Sequence, residues 1–156
     1  RSHKNIVHNF ILKPHPTRLT KELYNLSLDT LPPNVVFTTE KSFPVLLHSA
    51  KVIITEASSA CLEAIAIGVP VILIKRKDGL FHNPLPDGID KRLYMVCSSA
   101  KELKEALNQY LFMSEADREK LTIKGHVVRG NYFQPITKEG TNRFMDVNQT
   151  GNHIHA

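Results

Sequence analysis

Short apolar runs alternate along the chain with segments of helical pattern. The runs carry few polar positions, which is typical of strands that are buried on both faces of a parallel sheet. They predict strands at Phe10–Leu12, Val35–Phe37, Lys51–Thr55, Val71–Ile74 and Leu93–Cys97. The segments between and after them predict helices at about Leu19–Leu28, Phe43–Ala50 and Ser58–Gly68, from a cap at Ser98 or Ser99 to Tyr110, after Ser114, and near Thr137–Val147.

This alternation predicts an α/β protein with a doubly wound, mostly parallel sheet and helices on both faces. In such sheets, ligands bind beyond the carboxyl ends of the strands. The length of 156 residues predicts a single domain over 1–156, with a disordered tail at about 148–156. Because the chain starts at Arg1 without a methionine, we expect a fragment of a longer protein.

Composition and charge narrow the class of protein. No apolar run approaches the ~18 residues of a membrane span, and the start does not resemble a signal peptide. The net charge of +5 indicates anionic partners, such as nucleotides, nucleic acid or an acidic membrane face. Two cysteines are too few for a disulfide framework and favour a reducing compartment.

Ser58 and Ser59 are the first candidates for binding chemistry. They follow a predicted strand and begin a predicted helix, where unpaired backbone N–H groups and the helix dipole attract an anion. Their hydroxyls would add hydrogen bonds to a phosphate. Ordinary helix capping is the alternative interpretation.

Glu63 is the second candidate, because the helix that contains it is otherwise almost purely apolar. Such a helix is predicted to be buried on all sides, where a carboxylate needs compensating partners. Glu63 also follows Ser59 by four residues and therefore shares its helix face. The pair suits a ribose diol beside a bound phosphate. A structural salt bridge to a nearby Lys or Arg is the alternative.

The segment Lys13-Pro14-His15-Pro16-Thr17-Arg18 follows the first predicted strand. Its two prolines stiffen the backbone and would hold His15 in a fixed orientation, with Lys13 and Arg18 as flanking cations. A rigid imidazole between cations suits a nucleotide base or a phosphate oxygen, and an ordinary turn is the alternative.

The long loop at Lys75–Lys91 leaves the same sheet edge and either closes over a ligand or is solvated surface.

Several signatures of other chemistries are absent from the sequence. It contains no Gly-x-Gly-x-x-Gly or Walker loop, no Cys/His spacing of a zinc site and no Gly-x-Ser-x-Gly nucleophile motif. Dinucleotide oxidoreductases, P-loop NTPases, zinc proteins and α/β-hydrolases are therefore unsupported.

The segment Val52–Ser59, followed by Cys61–Ile72, resembles the donor-binding C-terminal half of GT-B glycosyltransferases. Lys13-Pro14-His15-Pro16 is similar to the His-Pro motif of bacterial surface-polysaccharide enzymes, including sialyltransferases, Kdo transferases and glycerophosphotransferases. The resemblance covers about Phe10 to Tyr110. It implies a Rossmann-like nucleotide-sugar-binding domain of a glycosyltransferase in surface-polysaccharide biosynthesis, which transfers a sugar from a nucleotide donor.

The resemblance also implies roles for individual residues. Ser58 and Ser59 would hold the donor phosphates, Glu63 the ribose hydroxyls, and His15 the phosphate or the base. No metal and no other cofactor is implied. The catalytic residues stay unknown, because the acceptor-binding N-terminal half is missing and this fragment alone is expected to be inactive. The full implied nucleotide-sugar-binding set is Lys13, His15, Arg18, Glu56, Ser58, Ser59 and Glu63.

The expected partners are a nucleotide sugar, the missing N-terminal acceptor-binding domain and an anionic membrane surface, but no nucleic acid. The expected location is cytoplasmic, peripheral on the inner membrane face. Two alternatives stay open: a fragment of a GT-B-like nucleotide-sugar epimerase, and a non-catalytic α/β binding module. The base, the sugar and the acceptor are not predicted.

Overall fold

A computed structural model describes residues 8–14, 31–56, 58–76, 79 and 81–139. The chain divides into two compact units, Arg1–Ala50 and Lys51–Ala156. The prediction of one domain over 1–156 stays a prediction, and each unit is described by itself. The predicted helix at Leu19–Leu28 and the predicted tail at 148–156 lie outside the described residues, as does most of the predicted helical stretch near 137–147.

The first unit contains two short parallel strands, β1 (Phe10–Leu12) and β2 (Val35–Phe37), which are the two predicted strands. Phe10 lies opposite Val35 in the register. The amide of Asn34 anchors this pair, since its Nδ2 donates to the His8 carbonyl oxygen over 3.1 Å.

The helix of the first unit, α1 (Phe43–Leu47), is shorter than the predicted Phe43–Ala50. It begins after Ser42 with Pro44 in its first turn, where a proline removes no intrahelical hydrogen bond. After Leu47 the chain continues in tighter turns, in which the Ser49 and Ala50 N–H groups donate to the Leu46 and Leu47 oxygens, each over 3.2 Å. The Nδ1 atom of His48 lies 2.7 Å from the Pro44 oxygen, and the Ser49 hydroxyl donates to the Leu46 oxygen over 3.0 Å.

The second unit is built on a three-stranded parallel sheet in the order β3 (Ile53–Thr55), β4 (Val71–Ile74), β5 (Tyr94–Cys97). The predicted α/β class with parallel strands is therefore confirmed, although the described strands form two sheets. In the central strand β4, the side chains of Val71, Ile72 and Leu73 are wholly buried. Because successive side chains point to opposite faces, β4 is covered on both faces.

Three helices surround this sheet: α2 (Ala60–Ala66), α3 (Ala100–Leu111) and α4 (Glu115–Tyr132). Helix α2 packs on β3, β4 and α4, whereas α3 packs on β5. Strands β3 and β5 begin at Ile53 and Tyr94, later than the predicted Lys51 and Leu93. Leu93 still contacts the neighbouring strand, because its oxygen accepts from the Val71 N–H over 2.9 Å. Within the part of the chain that is described, no helix is both long and apolar enough to cross a membrane.

Helix α2 ends at a glycine, as predicted, and the geometry is a Schellman motif. The Val69 N–H donates to the Ala64 oxygen over 3.0 Å, and the Gly68 N–H donates to the Ile65 oxygen over 2.9 Å. Gly68 adopts a φ of 81°, which residues with a Cβ rarely adopt. This end of α2 rests directly on the backbone of α4 at Gly125.

The connection from β4 to β5 is anchored over its second half. Leu85, Ile89 and Leu93 are buried, with exposed fractions of at most 6%. Asp90 joins this segment to α4, because its Oδ2 atom accepts from Lys124 Nζ over 2.6 Å. The beginning of the connection, at Lys75 and Arg76, is exposed and directly follows the carboxyl end of β4.

Candidate functional site

The candidate site lies at the carboxyl ends of β3 and β4. Glu56 follows Thr55 directly, and Lys75 and Arg76 follow Ile74. The two strands are adjacent and parallel, with Thr55 opposite Leu73, so their carboxyl ends lie at the same edge of the sheet. In α/β sheets this edge is the usual place for a ligand.

An ion pair connects the two strand ends. The Arg76 Nε atom lies 3.4 Å from the Glu56 Oε1 atom, with 72% of the arginine side chain and 60% of the glutamate side chain exposed. A pair this exposed contributes less than about 1 kcal/mol to stability, because water screens both charges. The fold therefore depends little on this contact.

The two serines have different surroundings. The Ser58 hydroxyl accepts a hydrogen bond from the Ala60 N–H over 3.3 Å. Ser59 is the cap residue of α2, but its side chain makes no capping hydrogen bond and is exposed. Capping, the alternative weighed for both serines, thus applies only to Ser58.

Glu63 is exposed, so the predicted burial of its carboxylate is wrong. The buried residues of α2 are Cys61, Ala64, Ile65 and Ala66, which face its neighbours. The short helix buries these positions and leaves Glu63 on the solvent side, one turn after the exposed Ser59. Its charge needs no compensating partner, and no ion pair of Glu63 occurs among the described residues. Its role at a ribose stays a prediction.

The remaining predicted site residues belong to the first unit. Lys13 directly follows β1 and is half-buried, while His15 and Arg18 lie outside the described residues. The other members of the set, Glu56, Ser58, Ser59 and Glu63, lie in the second unit, between the end of β3 and the first turn of α2.

Arg76 is a site residue that the sequence reasoning did not include. The signal was its position, two residues after a wholly apolar strand and within the basic run Lys75-Arg76-Lys77. Its pairing with Glu56 depends on β3 and β4 being neighbours, which the strand pattern alone does not establish.

Other reactive groups give no second site in the described part of the chain. Cys61 and Cys97 are buried, and burial raises the pKa of both thiols, which keeps them protonated. No group of three His, Cys, Asp or Glu side chains within the described ranges could hold a metal ion. Independence of metal stays a prediction.

Comparison with known proteins found no matching family model, no matching curated protein and no matching solved structure.

Proposed function

We propose that the second unit binds the phosphate-bearing part of a nucleotide sugar, as the donor-binding domain of a GT-B glycosyltransferase of surface-polysaccharide biosynthesis. The observation that carries this proposal is the convergence of Glu56 and Arg76 on one sheet edge, with Ser58 and Ser59 directly after β3. A guanidinium and hydroxyl groups are the kinds of donor that bind phosphate oxygens.

The nucleoside of the ligand, with its ribose, would extend along α2. Ser59 and Glu63 are both exposed and one helical turn apart. A solvated carboxylate accepts two hydrogen bonds from a ribose diol without the cost of a buried charge. This arrangement supports the same ligand orientation as the resemblance, with phosphate at the strand ends and ribose at Glu63.

The proposal includes a doubly wound, Rossmann-like domain. The segment β3-α2-β4 is a parallel strand–helix–strand unit, and the burial of β4 on both faces supports a sheet enclosed between helices. Lys13, His15 and Arg18 belong to the proposed binding set through the resemblance alone. The acceptor-binding domain and an anionic inner membrane face are the proposed partners, and donor binding is metal-independent.

A titration of the whole chain with CMP, CDP, UDP and GDP, followed by NMR in metal-free buffer, tests this function. We expect saturable shifts of the backbone signals of Ser58, Ser59, Glu63 and Arg76 with at least one nucleotide. The signals of Asp90 and Lys124, near the amino end of β5, serve as the internal control and should not move.

The outcomes separate the classes of function. Binding with a preference for one base supports a donor site and narrows the donor. Failure of all four nucleotides to shift any signal at millimolar concentration would overturn the proposal and favour the non-catalytic binding module. An epimerase fragment would also bind a nucleotide, and formation of an epimerised sugar from a uridine diphosphate sugar would favour that alternative.

A further inference from the structure

The described part of the second unit contains two pairs between an arginine and a carboxylate, and their geometries differ. Arg92 binds both oxygens of Asp90, with its Nε atom 3.0 Å from Oδ1 and its Nη2 atom 2.8 Å from Oδ2. The Arg76–Glu56 pair has no such pair of hydrogen bonds, and its closest atoms, Nε and Oε1, lie 3.4 Å apart. The first pair has the two-pronged geometry of a strong charge-assisted contact, and the second does not.

Among the residues that the structure describes, most donors of Arg76 make no hydrogen bond. A guanidinium carries five N–H donors, and the closest approach to Glu56 is made by Nε, at 3.4 Å. Within the described ranges, the terminal nitrogens of Arg76 make no hydrogen bond, whereas the Nη2 atom of Arg92 binds Asp90. The terminal nitrogens form the planar fork that matches two oxygens of a phosphate.

Arg76 also lies where a ligand could reach its terminal nitrogens. Its side chain is 72% exposed at the carboxyl end of the central strand, beside the strand end that carries Glu56. An exposed pair of this kind exchanges partners at little cost in free energy. A carboxylate and a phosphate are both anions, so they compete for the same guanidinium.

We infer that Arg76 is the phosphate-recognising residue of the site, and that Glu56 is the resident anion that an arriving phosphate or diphosphate group replaces. The inference rests on the proposed function and assigns the ligand chemistry to one side chain. Glu56 neutralises Arg76 when no ligand is bound. After a phosphate has replaced it at Arg76, the Glu56 carboxylate repels that phosphate. This repulsion weakens the binding of every anion and so limits the occupancy of the site by anions other than the ligand.

Calorimetric titration of the full chain with inorganic pyrophosphate, and separately with the nucleotide it binds best, tests the inference. We expect Arg76→Ala to weaken both affinities by about tenfold or more, the usual effect of removing a charged hydrogen-bond donor. Arg129→Ala is the matched control, because it removes the same charge from an exposed position in the last turn of α4.

The second variant tests the exchange of anions. Glu56→Gln keeps the size of the side chain and removes its charge, so we expect pyrophosphate to bind about threefold more tightly. The control Glu119→Gln removes an exposed carboxylate from α4 and should leave the affinity unchanged. Weaker binding to the Glu56 variant would overturn the displaced-anion role.

The remaining outcomes separate this inference from the proposed function. If the wild-type chain binds nucleotide and Arg76→Ala changes the affinity no more than Arg129→Ala does, the inference is wrong and the function stands. If pyrophosphate binds through Arg76 but no nucleotide binds more tightly than pyrophosphate, the function is wrong and the inference stands. Absence of any pyrophosphate binding overturns the inference. Unchanged circular dichroism spectra confirm that the variants fold.

Discussion

Gly68 and Gly125 meet where the end of α2 crosses α4. A Cβ atom on Gly125 would lie 2.5 Å from the Gly68 nitrogen, and a Cβ atom on Gly68 would lie 2.5 Å from the Thr122 Cα atom. Both obstacles are backbone atoms, which side-chain rotation cannot move. The absence of side chains at both positions is therefore what lets the two helices touch.

We predict that Gly125→Ala destabilises the protein by about 3 kcal/mol, because the added methyl group must push the two helices apart. Gly130→Ala is the matched control in the same helix, where a Cβ would meet nothing within 4 Å. There the substitution should stabilise by roughly 0.5–1 kcal/mol, since alanine favours the helix more than glycine does. Urea denaturation of both variants provides the measurement, and equal effects would contradict the proposed contact.

The Asp90 carboxylate should make the stability depend on acidity. Hydrogen bonds from Arg92 and from Lys124 hold the pKa of Asp90 well below its usual range. A group whose pKa is lower in the folded state stabilises that state above its unfolded pKa, which is about 3.9 for aspartate. This stabilisation then fades as the pH falls from there through the lower folded value.

Asp90→Asn is therefore expected to lower the free energy of unfolding by about 1 kcal/mol at pH 7, with a smaller difference from wild type at pH 2 to 3. Asp87→Asn, an exposed aspartate of the same connection, is the control and should change little. Thermal unfolding at a series of pH values gives both numbers. A difference that does not shrink in acid would show that the charge of Asp90 is not what matters.

Two serines at helix starts should respond differently to the same substitution. The Ser99 hydroxyl accepts from the Glu102 N–H over 3.2 Å, whereas Ser59 makes no side-chain capping bond. Ser99→Ala should cost about 1 kcal/mol of stability. Ser59→Ala should cost less than about 0.5 kcal/mol, the usual range for surface substitutions, while weakening nucleotide binding. Chemical denaturation and titration of both variants separate a cap from a ligand contact.

Glu63→Gln tests the ribose contact. Because the carboxylate is exposed, we expect the stability to change by less than about 0.5 kcal/mol. The affinity for the preferred nucleotide should fall by about tenfold, while the affinity for pyrophosphate, which has no ribose, stays the same. Glu119→Gln is again the control. Equal losses for nucleotide and pyrophosphate would place Glu63 at the phosphate instead of the ribose.

The strands and the candidate edge were predictable because each rests on local information. Val71–Ile74 is wholly apolar, and the preceding helix is followed by Gly68 and, two residues later, Pro70. The end of that helix and the start of the strand were therefore predictable from the residue types alone. Glu56 and Arg76 each follow a predicted strand, and the carboxyl ends of parallel strands lie at one edge of a sheet. That β3 and β4 are neighbours follows only from the tertiary structure.

The predictions were wrong or incomplete where tertiary packing determines which side chains are buried. Leu62 and Ile67 are apolar residues of the α2 segment that stay half-exposed, so its composition did not reveal which side faces water. Glu63 was accordingly expected to be buried. Gly125 gave no local signal either, because a glycine within a charged helix becomes informative only when the crossing helix is known.

The enclosure of β4 has a consequence for how the second unit fluctuates. Its backbone is bonded to a strand on either side, and its side chains face covered surfaces above and below. Solvent reaches such amides only when the surrounding structure opens as a whole. Hydrogen–deuterium exchange should therefore be slowest at the amides of β4. Arg76 lies two residues after this strand, so a ligand bound to Arg76 would contact a part of the unit whose backbone opens rarely.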